Sequence, residues 1–161
     1  MTVLEAIAGR RNIKRFKPDP IPQSELEEWL EAATFAPNHR LTEPWEILRI
    51  GPETRKQLHH AADFGGAPVV LALLAAPGRS QEETDENIVS VACFAQNLAL
   101  AAFSAGAGAR WASIGYSAHG REVLGIPEDR AVIAVIALGY PEEVPLARPR
   151  KPVAEKITEL P

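Results

Sequence analysis

Four cations fall within seven residues, Arg10, Arg11, Lys14 and Arg15, in the stretch RRNIKRF. A second cluster, ARPRKP, holds Arg148, Arg150 and Lys151 near the other end. Arginine presents a planar fork of N–H donors that matches phosphate oxygens two at a time, and Asn12 adds a donor and an acceptor. Arg148 and Arg150 lie two apart in a stretch that prolines keep extended. They are therefore expected on one side of the chain, as a clamp on a single anion requires. Both clusters also have a simpler reading. Cations just past a short helix complement its dipole, worth about 0.3–1 kcal/mol, and a basic tail can simply be solvated.

The charge around these clusters narrows the choice of partner. Residues 1–17 carry +4 and residues 148–161 carry +2, while the body between them carries −10. A general nucleic-acid binder shows a basic stripe or domain, and this acidic body is neither. A small anion held between two cationic ends fits the distribution better. The 161 residues with 46% hydrophobic content suit a single domain, 1–161, with a true core. The opening residues lack the apolar run of a signal peptide, and no long uninterrupted apolar window occurs, so the expectation is a soluble, cytoplasmic protein.

Other chemistry-bearing residues are sparse. Cys93 is the only cysteine, which excludes an internal disulfide and a thiolate metal cluster within one chain; its small apolar surroundings suggest a core position. His59 and His60 are adjacent on a predicted helix and face apart, so they form no metal pair. His39 stands in the loop APNHRLTEP, as a surface residue or as part of a site. GAGARWASIG contains GxG but follows a helix and lacks a P-loop lysine, so neither nucleotide fingerprint is met. It reads as a glycine-punctuated loop with free N–H groups beside Trp111. No Ser-His-Asp or Cys-His arrangement appears.

The elements that position these residues follow from periodicity and caps. Residues 2–9 read as a short helix with Leu4, Ile7 and Ala8 on one face. Residues 24–35 read as a helix with a capping box at Ser24 and Glu27 and a stripe of Leu26, Trp29, Leu30 and Ala33. WEILRI is a strand, PETRKQLHHAAD a helix, and PVVLALLAA a strand buried on both faces. The longest helix runs over roughly 84–105, starts at Thr84 or Asp85 and is stopped by Gly106. Past its first turn it is apolar nearly all round, so it requires cover on several sides, and a second subunit is a plausible one. A short helix AHGREVLG and a buried strand AVIAVIALGY follow, then a proline-rich tail. The expected order is α-α-β-α-β-α-α-β.

Five motifs in this order resemble the FMN-dependent nitroreductase family, in its short, single-domain form. RRNIKRF resembles the family's RRS-x-R-x-F element, and AATFAPNHRLTEPWEILRI its AP and QPW block. APVVLALLA matches its central strand, AQNLALAAFSAGAGARWASIG its QNL helix and loop, and ALGYPEEVPLARPRKPVAEKI its LGYP and RPRKP ending. The resemblance implies an α+β, three-layer α-β-α fold around a mainly antiparallel sheet, assembled as a homodimer with FMN at the subunit interface. It implies that Arg10, Arg11 and Asn12 bind the ribityl phosphate and pyrimidine edge, that Lys14 lies near N1 and the C2 carbonyl, and that Arg148 and Arg150 complete the phosphate site. Trp111, Ala112 and Ser113 would line the ring with backbone N–H near N5. His39 would reach the flavin from the partner subunit, and Phe35 belongs to the same cofactor-binding set.

The flavin then carries the chemistry, which explains why no acid–base dyad is needed. The implied activity is NAD(P)H-dependent oxidoreduction, with NADH or NADPH passing hydride through N5 to a nitroaromatic, a quinone or another small planar electrophile, without nucleic acid or membrane. The alternatives are a non-catalytic flavin- or anion-binding module, a specialised flavin-consuming enzyme of the same fold, and an interaction domain using its basic tail. Two departures from the family pattern stand out. Asn12 replaces the usual serine and Glu43 the usual glutamine. The interval before the long helix is also short, only PGRSQEETDEN, where larger members carry a segment that covers the substrate face.

Overall fold

A computed structural model describes residues 1–60 and 62–160. Two strands buried on both faces form its centre, with one register shift between Leu73 and Leu74. In β2 (Val69–Ala75) and β4 (Ala131–Gly139) nearly every residue is buried, because both faces of the sheet are covered. Leu71 and Leu73 of β2, with Ile136 and Leu138 of β4, face one helical layer; Val70, Ala72, Val135 and Ala137 face the other. β1 (Trp45–Arg49) and β3 (Gly108–Ala112) flank them. The sheet order is β1-β2-β4-β3 and every pairing is antiparallel, with Val69 opposite Leu138 and Ala112 opposite Val135.

The first layer contains α1 (Val3–Gly9), α2 (Gln23–Ala33) and the 24-residue α5 (Gln81–Ser104). Leu26 and Trp29 of α2 meet Phe94 and Leu98 of α5 over the sheet. The opposite layer contains α3 (Pro52–Leu58), the short α4 (Ala62–Gly66) and α6 (Ala118–Leu124). Leu58 and Phe64 enter its core, with Val123 and Leu124 against them. The result is the expected α+β, three-layer arrangement. By length and composition α5 could cross a membrane, but Val91, Phe94 and Leu98 spend its apolar face on the core. Cys93 packs half-buried against that core.

Several local expectations are corrected. GAGARWASIGYS is not a loop throughout: residues 108–112 form β3, and Ile114–Tyr116 a 3-10 turn. Glycine and alanine give no strand signal of their own, but the nine-residue β4 offers an open edge to pair with. The capping box lies at Thr2 and Glu5 rather than at Ser24 and Glu27. Pro22 is the N-cap of α2, which puts Ser24 inside the first turn. The long helix starts earlier than Thr84, because Ser80 accepts from the Glu83 N–H and caps it. The helix expected over 52–63 stops at Leu58, where His59 takes a left-handed φ of 48° and turns the chain so that Phe64 can enter the core. Ala61, within that expected helix, lies outside the described residues. The Leu4 and Ile7 face of α1 is exposed in the single chain, and only Ala6 is buried.

The cationic segment 10–16 is itself an added edge to this sheet. Asn12 bridges Ala109 in parallel and Phe16 bridges Pro141 antiparallel. The Ile13 N–H donates to the Ala109 carbonyl at 3.0 Å, and Ile13 and Phe16 both bury their side chains. Gly108 is glycine for this reason: a Cβ there would stand 2.5 Å from Ile13 Cγ1. Ile13→Ala is therefore expected to destabilise the protein by about 2–5 kcal/mol. Exposed Lys14→Ala should stay within about 0.5 kcal/mol. Urea denaturation of both checks this; equal midpoints would mean that the segment is not anchored through Ile13.

Candidate functional site

Ile13 and Phe16 point into the core, so the residues between and beside them point out. This sorts the four cations. Arg11 turns back on α1 and donates through Nη1 to the carbonyls of Ala8, Gly9 and Arg10 at 2.6, 2.9 and 3.0 Å. That is the dipole-complementing role, carried out by one guanidinium nitrogen. Arg15 pairs loosely with Glu142 at 3.4 Å, in the open. Lys14 is exposed, with its carbonyl directed at the sheet side.

Arg10 faces elsewhere. It lines a cavity of about 310 Å³ together with Asn12, Gln96, Ala99, Ala109, Trp111 and Ile136. Asn12 Oδ1 accepts from the Trp111 backbone N–H at 2.9 Å, which locks the amide to β3 and turns its NH₂ end outward as a donor. Ala99 of α5 and Ala109 of β3 are small, which leaves the space open. Arg10 Nε is buried and has no hydrogen-bond partner among the described residues; the same holds for Arg11 Nε. Burying a charged donor without a partner is costly. The arrangement can therefore hold an anion at Arg10 and a flat apolar body between Trp111 and the alanines.

The structure thus brings together Arg10, Asn12 and Trp111 from the expected set. Ala112 is buried at the end of β3, and Ser113 is exposed just beyond it. The chain does not bring Arg148 and Arg150 to this cavity. They lie in an exposed tail, where Arg150 Nη1 folds back to the Arg148 carbonyl at 3.0 Å instead of pointing alongside Arg148. Phe35, 86% exposed, and His39 also stand apart. His39 borders a larger, open cavity of about 680 Å³ with Asn38, Glu82, Asp85, Glu86 and Val89, and its Nδ1 is 3.8 Å from the Glu86 carboxylate. Three carboxylates make that cavity unsuited to phosphate. Gln96 is the residue that sequence reasoning missed. Its signal is a polar side chain in the apolar run of α5, three positions before Ala99 and so on the same face.

The sequence comparisons bear on this geometry. The model of the Nitroreductase family matches residues 7–63 and 54–140. The chain belongs to the nitroreductase family. An NADH dehydrogenase of Thermus thermophilus is 34% identical, over 86% of this chain and 86% of its own. A nitroreductase-like family protein from Bacillus cereus shares the fold, with a TM-score of 0.88 at 23% identity, over 99% of this chain and 96% of that one. The NADPH:FMN oxidoreductase from Vibrio harveyi, solved with NAD+, has a TM-score of 0.86 at 26% identity, over 97% of this chain and 76% of its own. Among the described residues, no group of three or more His, Cys, Asp or Glu side chains could hold a metal.

Behind the cationic segment stands one titrating group. His60 lies against Phe64 with ring centroids 4.6 Å apart and the rings tilted by 32°, and its Nε2 is buried without a partner among the described residues. Burial first, and the Arg110 cation second, hold its pKa below the ordinary histidine value. The unfolded chain then binds more protons than the folded one below about pH 6.5, so stability falls as pH drops through that value toward the folded pKa. His60→Gln should remove this slope. Denaturation at about pH 7.5 and about pH 5.5 is the check. An equal loss on acidification in wild type and variant would assign the slope to other groups.

Proposed function

We propose that this chain binds FMN in the cavity of Arg10, Asn12 and Trp111 and acts, as a single domain and a homodimer, as an NAD(P)H-dependent oxidoreductase. The observation that carries the proposal is the buried, partnerless Nε of Arg10 on the wall of a cavity floored by Ala99 and Ala109. A phosphate would satisfy that donor with a charge-assisted bond. The chemistry supplied by bound FMN is ping-pong two-electron transfer, from NADH or NADPH through N5 to a nitroaromatic, a quinone or another planar electrophile.

The residues of the chain bind and tune. Arg10 takes the phosphate, and the outward NH₂ of Asn12 donates to the cofactor while its Oδ1 stays on Trp111. Trp111, Ala112 and Ser113 border the ring, and Gln96 offers an amide from the α5 side. Lys14, exposed on the same segment, presents a cation at the N1 edge, where positive charge favours electron uptake. Arg148 and Arg150 join through the tail.

What one chain leaves uncovered supports the assembly. Val3, Leu4 and Ile7 of α1, Val89 of α5, and Leu146, Val153 and Ile157 of the tail are all exposed. A second copy covers them and brings its own Phe35 and His39 toward the flavin. Obligate interfaces of this kind bury about 2,000 Å² or more. Replacing Arg10 and Arg150 together by alanine should weaken FMN binding by roughly 3–6 kcal/mol while circular dichroism stays unchanged. Fluorescence titration with FMN measures the loss, and sedimentation of the loaded wild type should give a dimer. Wild-type affinity in the double variant would remove the phosphate site, and a loaded monomer would remove the interface.

A further inference from the structure

The element behind the cationic segment is α4, and it winds the wrong way for an ordinary helix. Asp63, Phe64, Gly65 and Gly66 all have left-handed φ, at 45°, 56°, 76° and 75°. A non-glycine residue there costs about 1–2 kcal/mol, so Asp63 and Phe64 are held in place by other contacts. Phe64 is fully buried. On the far side, Arg55 donates to the carbonyls of Ala67 and Pro68 at 2.7 and 3.2 Å and fixes where the turn leaves for β2.

This turn places Gly65 against Lys14. The Gly65 carbonyl accepts the Phe16 N–H at 2.9 Å. A Cβ added to Gly65 would stand 2.1 Å from the Lys14 carbonyl oxygen, 2.9 Å from its carbon and 3.3 Å from Arg15 Cα. All three are backbone atoms, so the segment itself would have to move. Arg110 Nη1 donates to the same Lys14 carbonyl at 3.4 Å. The peptide that follows Lys14 is thus confined between a missing side chain and a guanidinium.

We infer that Gly65, with Arg110, is a positioning residue for Lys14: the absent Cβ sets where the Lys14 backbone lies, and so where its ammonium can reach. This rests on the reading that Lys14 faces the flavin. Gly66 supplies the control. Its φ demands the same conformation, yet a Cβ there meets only Phe16 O, at 3.8 Å, an ordinary contact. Gly65→Ala and Gly66→Ala therefore share the conformational cost and differ in the collision with Lys14.

The test is a redox titration of the full-length, FMN-loaded protein as wild type, Gly65→Ala, Gly66→Ala, Lys14→Met and Gly65→Ala combined with Lys14→Met. Lys14→Met should lower the flavin's midpoint potential. Gly65→Ala should reproduce most of that shift, Gly66→Ala little of it, and the double variant should match Lys14→Met alone, the non-additivity of residues acting as one unit. If Gly65→Ala does not fold, Arg110→Lys keeps the charge and loses the forked reach; it should shift the potential in the Lys14 background and not in the Lys14→Met background. A shift in Lys14→Met with Gly65→Ala and Gly66→Ala alike, or a fully additive double variant, overturns the positioning role. In the Arg110→Lys series, no shift, or the same shift in both backgrounds, does so too. An unchanged potential in Lys14→Met overturns the reading of Lys14 itself, and the inference with it.

Discussion

The site depends on one seam, where segment 10–16 lies along the free edge of β3. Two bonds define it: Ile13 N–H to the Ala109 carbonyl, and the Trp111 N–H to Asn12 Oδ1. Across residues 12–14 the seam is extended, so neighbouring side chains alternate between core and solvent; a bend at Lys14 then leaves Arg15 exposed as well and buries Phe16. Ile13 is driven inward, and Asn12 and Lys14 on either side of it are driven outward. A seam of backbone bonds and buried apolar groups holds charged side chains in register without using their charges to do so. The charges of Arg10 and Lys14 stay available for a ligand, while Arg11 turns to the carbonyls of α1 and Arg15 to Glu142.

The seam also accounts for where glycine occurs. At Gly108, Gly139 and Gly65 a Cβ would run into Ile13, Phe16 and the Lys14 carbonyl respectively. Three separate elements therefore give up a side chain to let the same segment approach closely. The paired strands β3 and β4 and the left-handed turn all meet at this segment, and their shared contact makes the cationic segment part of the core structure rather than an arm attached to it.

Much of this was legible in the sequence, and the gaps have physical causes. The apolar runs of β2 and β4 were legible because strands buried on both faces need no partner to look buried, and one long helix was legible from its apolar run, though not its start at Gln81. The clustering of Arg10, Asn12 and Trp111 was legible through motif order. β3 was not, since Gly108 and Ala109 form a strand only because β4 and Ile13 stand beside them. The role of Arg11 was half legible: proximity to a helix end is visible, but whether its guanidinium turns back or outward depends on backbone direction at Arg10. The tail misled in another way. Its prolines suggest extension, yet nothing local fixes the direction of Arg148 and Arg150, which are exposed.

The central claim is that this seam builds a flavin-phosphate site, and the visible spectrum of the purified protein tests it most directly. After incubation with FMN and gel filtration, the wild-type chain should retain stoichiometric flavin, with the two visible bands of the oxidised cofactor altered from those of free FMN. Protein that elutes colourless after the same treatment would contradict the account.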